Sequence, residues 1–130
     1  MTDPVFDKSE QLEQVQQGLL EGETIIAVYD CTGAGTGFVG MTNLRVVIQD
    51  KSFVGKRTAI TSIPYQNIRS VSLLSNKSWT GKFFSSSSIA VDTGGGTMYE
   101  ADFRGVEKAR HVHTVILEHT TGRGTGATRT

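Results

Sequence analysis

The sequence predicts a mainly β domain of the α+β class. Its expected architecture is a seven-stranded antiparallel barrel or sandwich with a C-terminal capping helix and an extra N-terminal helix. Three observations predict it. Seven short runs rich in β-branched, aromatic and other apolar residues follow one another between residues 24 and 103, each set off by turn signals. An amphipathic segment follows them from Val106 to Glu118. A more acidic segment with helical spacing precedes them.

The N-terminal helix is expected within residues 1–22. Asp7 and Glu10 stand at capping-box spacing, and Leu12, Val15 and Leu19 recur at helical steps. Gly22 is the expected stop. A helix this short is marginal alone in water, so it must pack on the domain or on a neighbouring subunit. The strands are expected at Thr24–Tyr29, Gly37–Met41, Asn43–Gln49, Thr58–Ile63, Ile68–Leu74, Ser88–Asp92 and Met98–Phe103. Thr42-Asn43, Asp50–Ser52, Pro64 and Gly94-Gly95-Gly96 separate them. At about 100° per residue, Val106, Ala109, Val112, His113, Ile116 and Leu117 share one face of the C-terminal helix. Glu107, His111, Thr114 and Glu118 share the other, and Val115 is a misfit among them. The domain proper is thus residues 23–119. The tail 120–130 carries no large apolar residue and is expected to be disordered.

Composition narrows the function classes. A chain of 130 residues fits one domain, and 13 Lys+Arg against 13 Asp+Glu give no net charge. That balance argues against a dedicated nucleic-acid binder, whose affinity rests on phosphate neutralisation. No apolar run approaches the roughly 18 residues of a membrane span, and the first ten residues carry no signal core. The single cysteine, Cys31, fits a reducing, cytoplasmic setting. The charge is nevertheless polarised. Residues 1–23 hold six acids and one base, whereas residues 45–82 hold seven bases and one acid. The two segments either pack together within one molecule or steer head-to-tail pairing of copies.

Several ordered runs resemble the bacterial family of PH-like domains. They are Leu19-Leu20-Glu21-Gly22-Glu23, Gly35-Thr36-Gly37-Phe38-Val39-Gly40-Met41-Thr42-Asn43, Asp50-Lys51-Ser52-Phe53, Ser62-Ile63-Pro64-Tyr65, Tyr99-Glu100-Ala101-Asp102-Phe103-Arg104-Gly105 and Lys108-Ala109-Arg110-His111-Val112-His113. Their order and spacing carry the likeness across residues 8–119. The resemblance implies a PH-like, strongly bent seven-stranded barrel-like sandwich closed by the C-terminal helix. It implies a structural module without an assigned reaction, of which some members form rings of identical subunits. The stretch from Asn76 to Ser88 departs from the family as an insertion-like loop, so strand six begins anywhere between Lys82 and Ser88.

Gly33-Ala34-Gly35-Thr36-Gly37 has the wrong spacing for a dinucleotide fingerprint, and a strand follows it. From Gly35 to Thr42 the phosphate-loop pattern fails because Met41 replaces its lysine. Eukaryotic PH domains typically hold phosphoinositides with bases around the first barrel loop. Asp30–Thr36 contains no base and one acid, so that lipid site lacks its charge. His111 and His113 diverge by about 200° on a helix, so they do not form a zinc pair. His113, amid apolar neighbours, is expected to be a core histidine. Cys31 has no base beside it in sequence, and neither a nucleophile elbow nor a carboxylate pair occurs.

No catalytic residue, cofactor or metal site is therefore expected. Lys77, Trp79, Lys82, Phe83 and Phe84 mix bases with aromatics and are the candidate interface or membrane loop. The expected function is a non-enzymatic interaction or scaffold module that self-associates into a homo-oligomer. The alternatives are a peripheral membrane module using the Trp79–Phe84 loop, and a peptide-binding module using the groove between a sheet edge and the C-terminal helix.

Overall fold

The computed structural model describes residues 3–33, 35–51, 58–74 and 86–122. In chain order its elements are β1 (Val5–Phe6), α1 (Ser9–Gln17), β2 (Ile25–Thr32), β3 (Thr36–Thr42), β4 (Arg45–Asp50), β5 (Ala59–Pro64), a single 3-10 turn (Tyr65–Asn67), β6 (Ser70–Leu74), β7 (Ser86–Gly94), β8 (Thr97–Arg104) and α2 (Glu107–Thr120). The seven strands read from the sequence are all present. Strand six of that reading starts at Ser86. β1 is an additional two-residue strand.

The strands form one path, β5-β4-β3-β2-β8-β7-β6, which does not close. Every pairing along it is antiparallel. The path turns at β2. Only its last two residues, Cys31 and Thr32, pair with β8, whereas Ala27 and Val28 further up the strand pair with β1 in parallel.

Two apolar layers sit on the two sides of β2, β3 and β4. The inner layer is the main core. It gathers Tyr29, Val39, Met41, Val46, Ile48, Ile89 and Phe103 with Ala109, Val112, Val115 and Ile116 of α2. α2 packs against β6, β7, β8 and the 3-10 turn, and so plugs the opening of the bent sheet. The outer layer is smaller: Val28, Phe38 and Val47 meet Val15 of α1, with Leu12, Leu19 and Ile25 around them. Burial on both faces explains why Val39 and Phe38, or Val46 and Val47, are all buried despite the strand period of two. α1 approaches closely because Gly40 lies beneath it; a Cβ there would stand 3.1 Å from the Val15 Cγ2.

Four sequence expectations about the helices are corrected. α1 is not closed by a capping box, for its N-cap residue Lys8 makes no side-chain cap bond and Asp7 is engaged elsewhere. It ends at Gln17 rather than at Gly22, and Gly22 instead takes φ +79° in the turn that enters β2. In α2 the buried residues are Ala109, Val112, Val115 and Ile116. Val115 is thus core, whereas Val106 and Leu117 are exposed. His113 is half-buried and outside the core, because the helix presents its 109/112/116 seam to the sheet and leaves residue 113 on the flank. The tail beyond Gly122 lies outside the described residues.

Candidate interaction surface

One end of the sheet is fastened by a polar knot that seats the turns between elements. The Glu23 side chain is fully shielded from solvent and accepts hydrogen bonds from Arg45 Nε at 2.8 Å and Arg45 Nη2 at 2.9 Å. The Thr42 hydroxyl donates to it at 2.6 Å and the Leu20 N–H at 2.9 Å. Arg45 also reaches the Gly18 carbonyl and the Ser62 hydroxyl. Burial alone would push the Glu23 carboxyl up. Its hydrogen bonds and the Arg45 charge together outweigh burial and hold it below the ordinary carboxylate value. Tyr65 donates to the Thr42 carbonyl at 2.7 Å, and burial, then the Glu23 charge, pushes its phenol well up.

Here the acidic N-terminal segment and the basic middle do meet within one molecule. The meeting is confined: Asp7, from the same acidic segment, pairs instead with Lys108 of α2.

The first barrel loop joins β2 to β3. Gly33 adopts φ +90°, which accounts for glycine there without a nucleotide. Acids flank it: Asp30 precedes it, and Asp102 Oδ2 would lie 4.0 Å from a Cβ on Gly33; the bases nearby come from other elements, Lys8 pairing with Asp30 at 3.4 Å and the Lys51 N–H donating to the Gly35 carbonyl at 2.7 Å. Thr36 donates to the Glu100 carbonyl, tying the loop to β8. Cys31 is buried in β2, and burial, reinforced by Asp30, Asp102 and Asp7, pushes its thiol up to about 12. Burial and the neighbouring acids favour the protonated thiol near neutrality.

The histidines act as packing partners. His111 Nδ1 lies 2.6 Å from the Tyr29 hydroxyl, and His119 stacks on Tyr65 with ring centroids 4.4 Å apart. The His119 Nδ1–H donates to the Val115 carbonyl at 2.8 Å. Sequence reading singled out His113 and missed these two pairs, because Tyr29 and His111 are 82 positions apart. No three His, Cys, Asp or Glu side chains gather as a metal site among the described residues.

The surface that remains for interaction is the open sheet. β5 and β6 end the strand path, so each has one side without a neighbouring strand among the described residues. Ile60 of β5 is 51% exposed, and Leu73 and Leu74 of β6 are 36% and 37% exposed. Lys77, Trp79, Lys82, Phe83 and Phe84 lie outside the described residues; their segment leaves from Leu74 and returns at Ser86. No described helix is long and apolar enough to cross a membrane.

An antiparallel sheet bent around one core and plugged by a C-terminal helix defines the pleckstrin-homology-like class. The model of the bacterial PH domain family matches residues 4–120, and the chain belongs to that family. Two solved structures share the fold. One is a pleckstrin homology domain from Shewanella amazonensis SB2B, with a TM-score of 0.65 and 18% identity, covering 89% of this chain and 100% of that one. The other is a DUF1696 family protein with a pleckstrin-homology domain from Shewanella loihica PV-4, with a TM-score of 0.63 and 15% identity, covering 88% and 93%. No curated protein matches the sequence.

Proposed function

We propose that this PH-like domain is a non-enzymatic interaction module that self-associates through its sheet edges. The observation that carries this reading is the pair of terminal strands, β5 and β6, each with large apolar side chains exposed. An edge strand presents unpaired N–H and C=O groups, and a second copy satisfies them by strand pairing. Ile60 on one edge and Leu73 and Leu74 on the other supply the apolar contact that backbone pairing alone lacks. The Trp79–Phe84 segment follows β6 in the sequence and carries three aromatic residues. The buried, unionised Cys31 supports the non-enzymatic reading.

Solution mass by size-exclusion chromatography with light scattering tests it. A discrete oligomer is expected at low salt. Leu73→Lys and Ile60→Lys should each lower the mass while leaving circular dichroism unchanged. Trp79→Ser with Phe84→Ser should do the same, and an unchanged mass removes those residues from the interface. A single species at 14.1 kDa across the concentration range overturns self-association.

A further inference from the structure

A third stretch of sheet edge exists on β2, and the chain covers it with its own N-terminus. Ala27 and Val28 have β3 on one side, while β8 reaches only Cys31 and Thr32 on the other. Into that gap comes β1, with Val5 opposite Ala27 and Phe6 opposite Val28. The Asp7 N–H then donates to the Val28 carbonyl at 3.1 Å. The Asp7 Oδ2 accepts from the Asp30 N–H at 2.9 Å and from Lys108 Nζ at 3.0 Å. One carboxylate oxygen therefore fastens the segment to both β2 and α2.

The hold is thin elsewhere. The strand is two residues long, and Val5 and Phe6 remain 53% and 45% exposed. Their side chains contribute little burial, so backbone bonds, the Asp7 anchor and a partly exposed ion pair from Lys8 Nζ to Asp30 Oδ1 at 3.4 Å do the fastening. α1 is seated separately, through Val15 in the outer apolar layer. Release of residues 3–8 would leave the body of the domain in place.

We propose that β2 from Ala27 to Asp30 is a strand-acceptor slot kept shut by the Val5–Asp7 segment of the same chain. Its occupant in trans is that segment from a second copy. This rests on the self-association proposed above and gives it an additional site. The slot is already seen to fit that segment, and the segment's acid finds its complement in Lys108. Residues 5–8, ahead of α1, span roughly 13 Å when extended, so exchange requires a copy seated close against this face of β2. Within one chain the effective concentration is on the order of millimolar, so the slot stays closed until the anchor releases. The Lys108–Asp7 pair is partly exposed, so salt weakens it.

The test uses the full chain and a fluorescein-labelled peptide of residues 3–9. Asp7→Ala removes the anchor, and Phe6→Pro removes the strand pairing independently, in case either variant folds poorly by circular dichroism. Amide exchange at Asp30 reports opening in Phe6→Pro, where the Asp7 acceptor is retained, and should accelerate at least tenfold there. Each opened variant should then bind the peptide at least tenfold more tightly than the unmodified chain. A peptide carrying Asp7→Ala should bind neither. Unaccelerated exchange at Asp30, or an opened slot that binds the peptide no better, overturns the proposal. Mass is read on the same samples. An oligomer that persists without peptide binding leaves edge association standing and removes the slot. Peptide binding by a chain that stays monomeric keeps the slot and removes edge association.

Discussion

Arg45 grips the Glu23 carboxylate with two nitrogens, at 2.8 and 2.9 Å, where the carboxylate itself is closed to solvent. The pair joins the turn leaving α1 to the start of β4, and Thr42 and Tyr65 extend it to the 3-10 turn. Removing one partner leaves a buried charge unmatched, which costs about 3 kcal/mol. Arg45→Met is expected to lower stability by that order in urea titration. Glu23→Leu combined with Arg45→Met should recover much of the loss.

The same pair sets an acid dependence. The Glu23 carboxyl lies below its ordinary value of 4.5 in the folded chain, so it binds its proton more readily when unfolded. Its stabilising contribution is full above that ordinary value and is lost as pH falls through the lowered folded value. Urea midpoints measured between pH 7 and pH 3 should fall less steeply in Glu23→Gln than in the unmodified chain. Parallel slopes would show that Glu23 does not carry the linkage.

Gly40 and Gly37 both lie under side chains but should answer differently to alanine. At Gly40 the added Cβ meets Val15 at 3.1 Å, and Val15 is locked between α1, which carries it, and the sheet. Overpacking there is expected to cost about 1–2 kcal/mol, relieved by Val15→Ala. At Gly37 the Cβ would run into the ends of the Gln49 and Lys51 side chains, which swing away. Gly37→Ala should cost less than about 0.5 kcal/mol. Thermal melts of the two variants compare them directly.

Within α2, Val115→Ala should destabilise by about 2 kcal/mol, as for a buried aliphatic truncation. Leu117→Ala should stay within about 0.5 kcal/mol, since Leu117 is 41% exposed. The reverse order would mean that the helix presents another face to the sheet.

Cys31 should resist alkylation. Its thiol is buried and pushed up to about 12, so iodoacetamide at pH 8 is expected to leave it unmodified until guanidinium unfolds the chain. Rapid labelling of the native chain would show that β2 opens near this residue.

The strands were legible in the sequence because β-branched and aromatic runs, cut by Asn, Gly and Pro turns, report local backbone preference. Gly33 and the failed nucleotide patterns were legible for the same reason. The helix faces were less so. Counting 100° per residue gives the relative positions of Val115 and Leu117, but two flanks of comparable hydropathy leave the seating undecided. The sheet decided it, taking Val115 and leaving Leu117 out. Asp7 read as a capping residue because only its near neighbours are visible in sequence. Asp30 and Lys108, its actual partners, lie 23 and 101 positions away.

The number and order of the main strands, the two helices and the family likeness are written in the chain. Each is a matter of local periodicity or of residues in succession. The tertiary structure alone decided that α1 covers the outer face of β2–β4, so that Val28, Phe38 and Val47 are core rather than surface. It also decided that the sheet ends openly at β5 and β6, and that the first residues close a gap on β2. These outcomes depend on which surfaces meet across long separations in the chain, and burial of apolar area is indifferent to sequence distance.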